Sequence, residues 1–308
     1  MFWNKRKAPK NQEANQPVNG ENSILKQDLS EKAKYSGVYV MRLLFKEKVS
    51  RPASPALTDR LKARFGGIDV VSDTSGLVSF ALTDHLVTYK DDKKVPSQLM
   101  LVECNPVQEP IGDAINRTQF WDCPDGVELL DSCPWQVMTS DFMAGGLPPL
   151  ERADILADWL EILLDLFPQC AAVYFDASGK LMPADSMREN PYTGPLRFFQ
   201  GGVNARFFNI QGSNDMLVDT LGLYALGLPD VQYHFRDLNP NDVVRHAYNT
   251  AIYQFENGAP IESGHTIGGI EPDSKWKCQY EDSLIQPSRV VLDIAAGEFA
   301  SGRRNGEI

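Results

Sequence analysis

The segment 38–45 (VYVMRLLF) most constrains the fold, because apolar side chains would fall on both faces of an extended chain. Arg42 is its one charged residue. Strands that are apolar on both faces are typical of the centre of a sheet that is covered on both sides. Apolar residues make up 43% of the 308 residues, enough for a substantial core. The segment therefore predicts a central strand.

The next part of the chain predicts one helix and three further strands. The helix begins at Ser54-Pro55, since proline suits the first helical turn, and Gly66-Gly67 ends it after Phe65. The order strand, helix, strand, strand, strand predicts a small α+β unit with ferredoxin-like elements. The three strand-like runs lie at 68–72, 77–89 and 98–103.

The remaining chain predicts a larger α+β unit. Asn239 and Pro240 form the clearest helix start, with Asn239 as the capping residue. Predicted helices lie at 111–121, 126–131, 150–167 and 240–255. Predicted strands lie at 135–141, 171–175, 205–210, 216–226, 231–236 and 290–294.

The fold class predicted from these elements is α+β, with two packed subdomains and mainly antiparallel sheets. Polar composition predicts a disordered N-terminal arm at 1–34 and a flexible tail at 297–308. The smaller subdomain spans 35–108 and the larger spans 109–296.

The formal net charge is −11, from 30 Lys and Arg against 41 Asp and Glu. Nucleic acids and anionic membranes would be repelled by this balance, so neither is an expected partner. A basic protein is a better electrostatic match. No apolar run reaches the length of about 20 residues that a membrane-spanning helix needs.

Cysteine usage predicts a cytoplasmic protein. Five cysteines without an export signal are typical of reduced thiols. Cys123 and Cys133 have no CxxC partner or nearby histidine, so we expect no metal site. We also expect no cofactor and no catalytic residue, since the phosphate-binding, dinucleotide-binding and hydrolase motifs are absent.

His265 and Thr266 form one candidate ligand-binding site, because glycines 264, 268 and 269 bracket them in a loop. Backbone amides of such a loop can face a ligand. A turn whose glycines only need positive φ angles is the alternative interpretation.

Asp219 and Thr220 form a second candidate, on the strand predicted at 216–226. A carboxylate on a half-apolar strand face must be paired or solvated. Arg206 and Arg236 lie on candidate neighbouring strands and could pair with it. A structural ion pair and a binding site that includes Arg206 both remain open.

The helix predicted at 150–167 carries five carboxylates at spacings of 3, 4, 3 and 4, which place them on one face. This face is either a solvated surface or a docking surface for a basic protein. We call it the acidic stripe: Glu151, Asp154, Asp158, Glu161 and Asp165.

Several blocks of the sequence resemble a bacterial family catalogued as a domain of unknown function (DUF4261). They include 220–232 (TLGLYALGLPDVQ), Asn249-x-Ala251-x-Tyr253, Gly258-x-Pro260-Ile261 and Gly264-x-Thr266-Ile267-Gly268. The resemblance spans about 38–294 and implies a cytoplasmic bacterial α+β protein, without an activity.

The favoured function is a non-enzymatic protein-binding module, for example an immunity or antitoxin-like protein that neutralises a basic effector. The alternative is a small-molecule-binding or hydrolytic protein that uses a cleft between the two subdomains. Its candidate residues are Arg206, Asp219, Thr220, His265 and Thr266.

Overall fold

The computed structural model describes residues 37–89 and 92–304 of the chain. The predicted N-terminal arm, 1–34, lies outside the described residues, as do the last four positions of the predicted tail. The described residues form two sheets and seven α-helices.

The first sheet has eight strands, and every pairing in it is antiparallel. Its order is β2-β3-β4-β6-β1-β7-β8, and β5 also pairs with β6. Strand β1 lies between β6 and β7, which confirms the central position predicted for it. The strands are β1 (Val40–Phe45), β2 (Ile68–Asp73), β3 (Leu77–Thr88), β4 (Lys94–Val102), β5 (Asn105–Pro106), β6 (Trp135–Phe142), β7 (Ala172–Phe175) and β8 (Lys180–Pro183).

The second sheet has six strands in the order β12-β13-β14-β11-β10-β9. Only the β11–β14 pairing is parallel. The strands are β9 (Asn204–Asn209), β10 (Met216–Leu221), β11 (Asp230–Phe235), β12 (Thr266–Gly268), β13 (Lys275–Asp282) and β14 (Val290–Ala295). Two mainly antiparallel sheets with separate helices confirm the predicted α+β class.

The two longest helices each pack on the core-facing side of one sheet. Trp159 of α4 packs edge-on against Phe80 of the first sheet and donates a hydrogen bond to Thr139 of β6 (2.6 Å). Helix α7 packs on β9, β10 and β11. The helices are α1 (Ser54–Phe65), α2 (Ala114–Arg117), α3 (Gly126–Asp131), α4 (Pro149–Leu166), α5 (Ala184–Arg188), α6 (Leu196–Gly202) and α7 (Pro240–Asn257).

One hydrophobic core joins the two sheets. It contains Phe175 from the first sheet, Val218 and Tyr233 from the second, and Phe198 from α6 between them. The predicted subdomain boundary near residue 108 falls within the first sheet, since β6, β7 and β8 also belong to that sheet. The chain passes from one sheet to the other between β8 and β9.

Two predicted elements are shorter than expected. The helix expected at 111–121 is limited to α2, and the strand expected at 216–226 ends at Leu221. The backbone N–H groups of Gly222, Leu223 and Tyr224 donate to the buried Asp230 carboxylate at 3.1–3.4 Å. These bonds turn the chain into a 3-10 helix in place of a longer strand.

The predicted flexible tail begins in contact with the second sheet. Gly297–Phe299 is a 3-10 helix, Ala300 pairs with Phe235, and Ser301 is buried. Arg304 forms an ion pair with Asp293 of β14. Residues 297–304 are therefore part of the packed fold.

Gly222 allows a close approach between the second sheet and α6. Its φ is +137°, and a Cβ there would lie 1.9 Å from the Gly202 carbonyl oxygen. We expect Gly222→Ala to lower the free energy of unfolding by roughly 2–4 kcal/mol, from backbone strain plus overpacking. Urea denaturation measures this change.

Gly212 provides the matched control, because its φ is +84° but a Cβ there would contact nothing within 4 Å. Gly212→Ala should cost only the backbone term, about 1 kcal/mol. Equal losses for the two variants would contradict the proposed steric conflict at Gly222.

Candidate functional site

A buried network of four charged residues ties the second sheet together. Arg206 and Asp219 are cross-strand partners on β9 and β10, and each is at most 1% exposed. The guanidinium of Arg206 donates to both Asp219 oxygens, at 2.8 and 2.6 Å. Arg289 donates to Asp219 (2.8 Å) and to Asp230 (3.0 Å). We call these four residues the buried charge network.

The buried charge network is satisfied by protein groups. Thr220 donates to Asp230 (3.2 Å), and Arg289 also donates to the Thr220 carbonyl oxygen (2.8 Å). Among the described residues, none of the network's buried side-chain nitrogen or oxygen atoms lacks a partner. Burial raises the pKa of Asp230, and Arg289 opposes that shift. The network therefore stabilises the fold and leaves no group free for a ligand.

This arrangement places three predicted binding residues, Arg206, Asp219 and Thr220, inside the second sheet. The predicted pairing of Asp219 with Arg206 occurs there. The second pairing partner is Arg289, which sequence reasoning missed, in place of the suggested Arg236.

His265 and Thr266 lie elsewhere, on an open groove of about 790 Å³. His265 is 54% exposed and its Nδ1 accepts from the Glu262 backbone N–H (3.2 Å). The groove's other wall is α7, including His246 and Asn249, and its lining excludes Asp219 and Arg206. The predicted binding residues are thus divided between two separate places.

His246 joins α7 to β12 at this groove. Its Nδ1 lies 2.7 Å from the Tyr233 hydroxyl, and its Nε2 lies 2.9 Å from the Gly268 carbonyl oxygen. Burial lowers the pKa of His246, so the neutral imidazole donates to Gly268 and accepts from Tyr233. Both ring nitrogens are therefore occupied by structural hydrogen bonds.

The carboxylates of the acidic stripe are paired with cations of the same chain. Arg197 of α6 contacts three of its carboxylates at 2.6–2.7 Å. Arg64 contacts two of them, Arg60 lies 3.8 Å from Asp165, and His85 lies 2.8 Å from Glu151. The stripe therefore holds helices α1 and α6 and the β3 residue His85 against α4.

A cleft of about 900 Å³ opens where the two sheets meet. Strand β8 is at the edge of the first sheet and β9 is at the edge of the second. Both strands line the cleft, as do α5, α6 and the first half of α7. Its volume lies within the range of about 300–1,000 Å³ that is typical of small-molecule sites.

Lys180 is a buried cation in the wall of this cleft, with 3% of its surface exposed. Its Nζ donates to the Asp122 carboxylate (2.6 Å) and to the Val203 carbonyl oxygen (3.3 Å). The Tyr248 ring centroid lies 5.9 Å from the same atom. Burial lowers the pKa of Lys180, and Asp122 opposes that shift.

The cleft also presents aromatic surface and an unpaired acceptor. The side chains of Trp121 and Tyr192 are 57% and 38% exposed. Among the described residues, the buried Oε1 of Gln200 has no hydrogen-bond partner. A buried acceptor without a partner is uncommon in folded proteins.

The cleft is lined only by residues between 121 and 248, all within the predicted larger subdomain, so it differs from the cleft between subdomains that the alternative function expected, and none of the predicted binding residues lines it. One sequence signal could have identified Lys180: a lysine directly after the turn at 176–179, in a short run that is otherwise apolar. Such a cation must find a counterion when the strand is buried. Asp122, Gln200 and Tyr248 carry no comparable local signal.

Part of the chain matches a known family. Residues 219–295 match the domain of unknown function DUF4261. The sequence resemblance to this family is thereby confirmed over that segment. No curated protein and no solved structure matches the chain.

The DUF4261 segment, residues 219–295, contains Asp219, Asp230 and Arg289 of the buried charge network. It also includes α7, which contributes one wall of the cleft. Lys180 and Asp122 lie outside the segment. The match therefore does not assign a function to the cleft.

None of the helices described here is long and apolar enough to cross a bilayer. Residues 37–89 and 92–304 contain no cluster of three or more His, Cys, Asp or Glu side chains placed to hold a metal ion.

Arg289 is the shared cation of the buried charge network. We expect Arg289→Met to lower the free energy of unfolding by about 3–5 kcal/mol, because Asp230 is left buried without a cation. Arg245→Met is the control, since the Arg245 side chain is 72% exposed, and it should cost about 0.5 kcal/mol or less. Similar denaturation midpoints for both variants would contradict this role.

Arg197 is the main cation of the acidic stripe, and its side chain is only 15% exposed. We expect Arg197→Met to cost about 1–3 kcal/mol at neutral pH, because its charged hydrogen bonds are lost. The deficit should shrink as the pH falls, because burial raises the pKa of Asp158 and its protonated carboxyl no longer needs the charge of Arg197. Arg60→Met is the control, and it should hardly change the free energy of unfolding, because the Arg60–Asp165 pair is exposed. A deficit for Arg197→Met that does not change with pH would count against the electrostatic explanation.

Proposed function

We propose that the protein binds a small molecule in the cleft between its two sheets. The observation that carries the proposal is the ion pair between the buried Lys180 and the exposed Asp122 in the wall of the cleft, which Gln200 also lines. Burying such groups opposes folding unless they are compensated. Their convergence on one concave surface is the pattern expected of a binding site.

The lining indicates the ligand's general properties. Trp121, Tyr192 and Tyr248 offer flat apolar faces, and Gln200 adds an amide group to the lining. The charges of Lys180 and Asp122 cancel within their pair. We therefore infer a ligand without a large net charge that combines an apolar ring or chain with hydrogen-bonding groups.

The protein-binding alternative, including an immunity or antitoxin-like role, has less support from the fold. It rested on the missing catalytic motifs, the acidic surface and the acidic stripe, and the stripe's carboxylates are paired with cations of the same chain. The net charge of −11 still favours a basic partner over an acidic one.

A bacterial cytoplasm is the proposed location. The five cysteines are buried free thiols, which fits a reducing compartment. The DUF4261 match over 219–295 is compatible with the bacterial source that the resemblance implies.

A screen of uncharged metabolite-like compounds by thermal shift tests binding in the cleft. A compound at 100 times its dissociation constant should raise the free energy of unfolding by about 2.7 kcal/mol. Asn241, at the cleft's edge on α7, is exposed, so Asn241→Trp should obstruct the cleft without loss of core packing. We expect this variant to weaken binding of the hits at least about tenfold.

Asn249→Trp is the matched control, because Asn249 is also exposed on α7 but lines the groove beside His265. It should leave affinity unchanged. If hits lose affinity in Asn249→Trp and keep it in Asn241→Trp, the ligand binds the groove, and the proposal for the cleft is wrong. The absence of any stabilising compound would also count against the proposal.

A further inference from the structure

Lys180 is buried, unlike an ordinary surface lysine, and it also borders the cleft. Its aliphatic stem lies within the protein, yet it contributes to the wall of the cleft. Asp122 and the Val203 carbonyl use two of the three ammonium hydrogens, and no third acceptor lies within hydrogen-bonding distance among the described residues. The amine is therefore held in place with one direction still available.

We propose that the cleft's ligand is an aldehyde or ketone, which the amine of Lys180 holds as an imine. This inference depends on the proposed function, since it names the ligand class of the same cleft. Lysine is the side chain that forms such bonds when its surroundings favour the neutral amine.

Asp122 accepts and returns the proton that imine formation at Lys180 requires. Asp122 first takes a proton from the Lys180 ammonium. The neutral amine then attacks the carbonyl carbon, the C=O π bond breaks, and one N–H proton moves to the oxygen to give a neutral carbinolamine. Asp122 then returns the proton to the departing hydroxyl, which leaves as water. The products are a protonated imine, a water molecule and the Asp122 carboxylate, with no oxidant or reductant involved.

The surroundings of Lys180 suit both the neutral amine and the protonated imine. Asp122, Tyr248 and Tyr192 are the titratable groups of the cleft, and Arg245 is its other permanent cation. The protonated imine carries the same charge as the ammonium, so the ion pair with Asp122 is preserved. Burial favours the neutral amine before attack, which agrees with the lowered pKa of Lys180.

The ligand must also fit the neighbouring groups. The Tyr248 ring beside the amine and the exposed Trp121 favour an aromatic or alkyl body attached to the carbonyl. Gln200 Oε1 would accept a hydrogen bond from a hydroxyl or amine on that body. Benzaldehyde is a minimal probe with the right reactive group and a flat apolar ring.

Reductive trapping of the full-length native protein tests the proposal. The protein is incubated with benzaldehyde and cyanoborohydride, and benzylated lysines are located by peptide mass mapping over time. We expect Lys180 to be labelled at least about tenfold faster than the exposed Lys62 and Lys94. Its rate should also level off at a lower pH, because its amine loses its proton more readily.

Variants then distinguish the cleft from general reactivity. Asp122→Asn should slow labelling of Lys180, since the proton carrier is lost, and leave Lys62 unaffected. Asn241→Trp should slow labelling of Lys180 by obstructing the cleft, whereas Asn249→Trp should not.

Labelling of Lys180 no faster than that of Lys62 and Lys94 would overturn the imine proposal. Compounds that still bind and still depend on Asn241 would in that case leave the proposed function intact, with a non-covalent ligand. Fast labelling that Asn241→Trp does not change would equally overturn it, since the carbonyl would not be reaching Lys180 through the cleft.

Discussion

The packing of α6 against the edge of the first sheet joins the two sheets of this protein. An exposed edge strand has unpaired backbone groups that must be covered. The segment that joins the sheets, α6 and Val203, is bonded to the end of the first sheet, where Ser178 donates to the Gly201 carbonyl (2.9 Å) and Lys180 to the Val203 carbonyl. Phe175 and Phe198 pack edge-on at the same junction. Because α6 is only seven residues long, it covers part of the junction and leaves the cleft open beside α7.

Polar groups are used in two distinct ways in this fold. In the buried charge network, each arginine meets a carboxylate and carbonyl oxygens of the same chain, so the network specifies the turn after β10 and the loop before β14. At the cleft, Lys180 has a counterion from an exposed loop residue, and Gln200 has an unpaired acceptor. Every buried polar atom of the buried charge network has a partner in the described chain, whereas Gln200 Oε1 at the cleft has none. This contrast distinguishes the structural cluster from the candidate site.

Local patterns predicted the fold better than they predicted the site. The two-faced apolar pattern of β1 and the proline and glycine signals around α1 identified elements that the structure confirms. Alternation of Trp276, Cys278 and Tyr280 would also have predicted β13, which was missed. The acidic stripe was visible in the helix sequence, but its cations come from residues far away along the chain. Likewise, Asp122 and Lys180 are 58 positions apart in the numbering and meet only through the tertiary fold.

Methionine methyl NMR offers the most direct test that the cleft is the binding site. Of the eight methionines, Met182 lines the cleft, whereas Met100 and Met138 belong to strands β4 and β6 of the first sheet. Stabilising compounds should shift the methyl resonance of Met182 in a saturable manner and leave those of Met100 and Met138 unchanged. Compounds that bind without any change at Met182 would contradict the account.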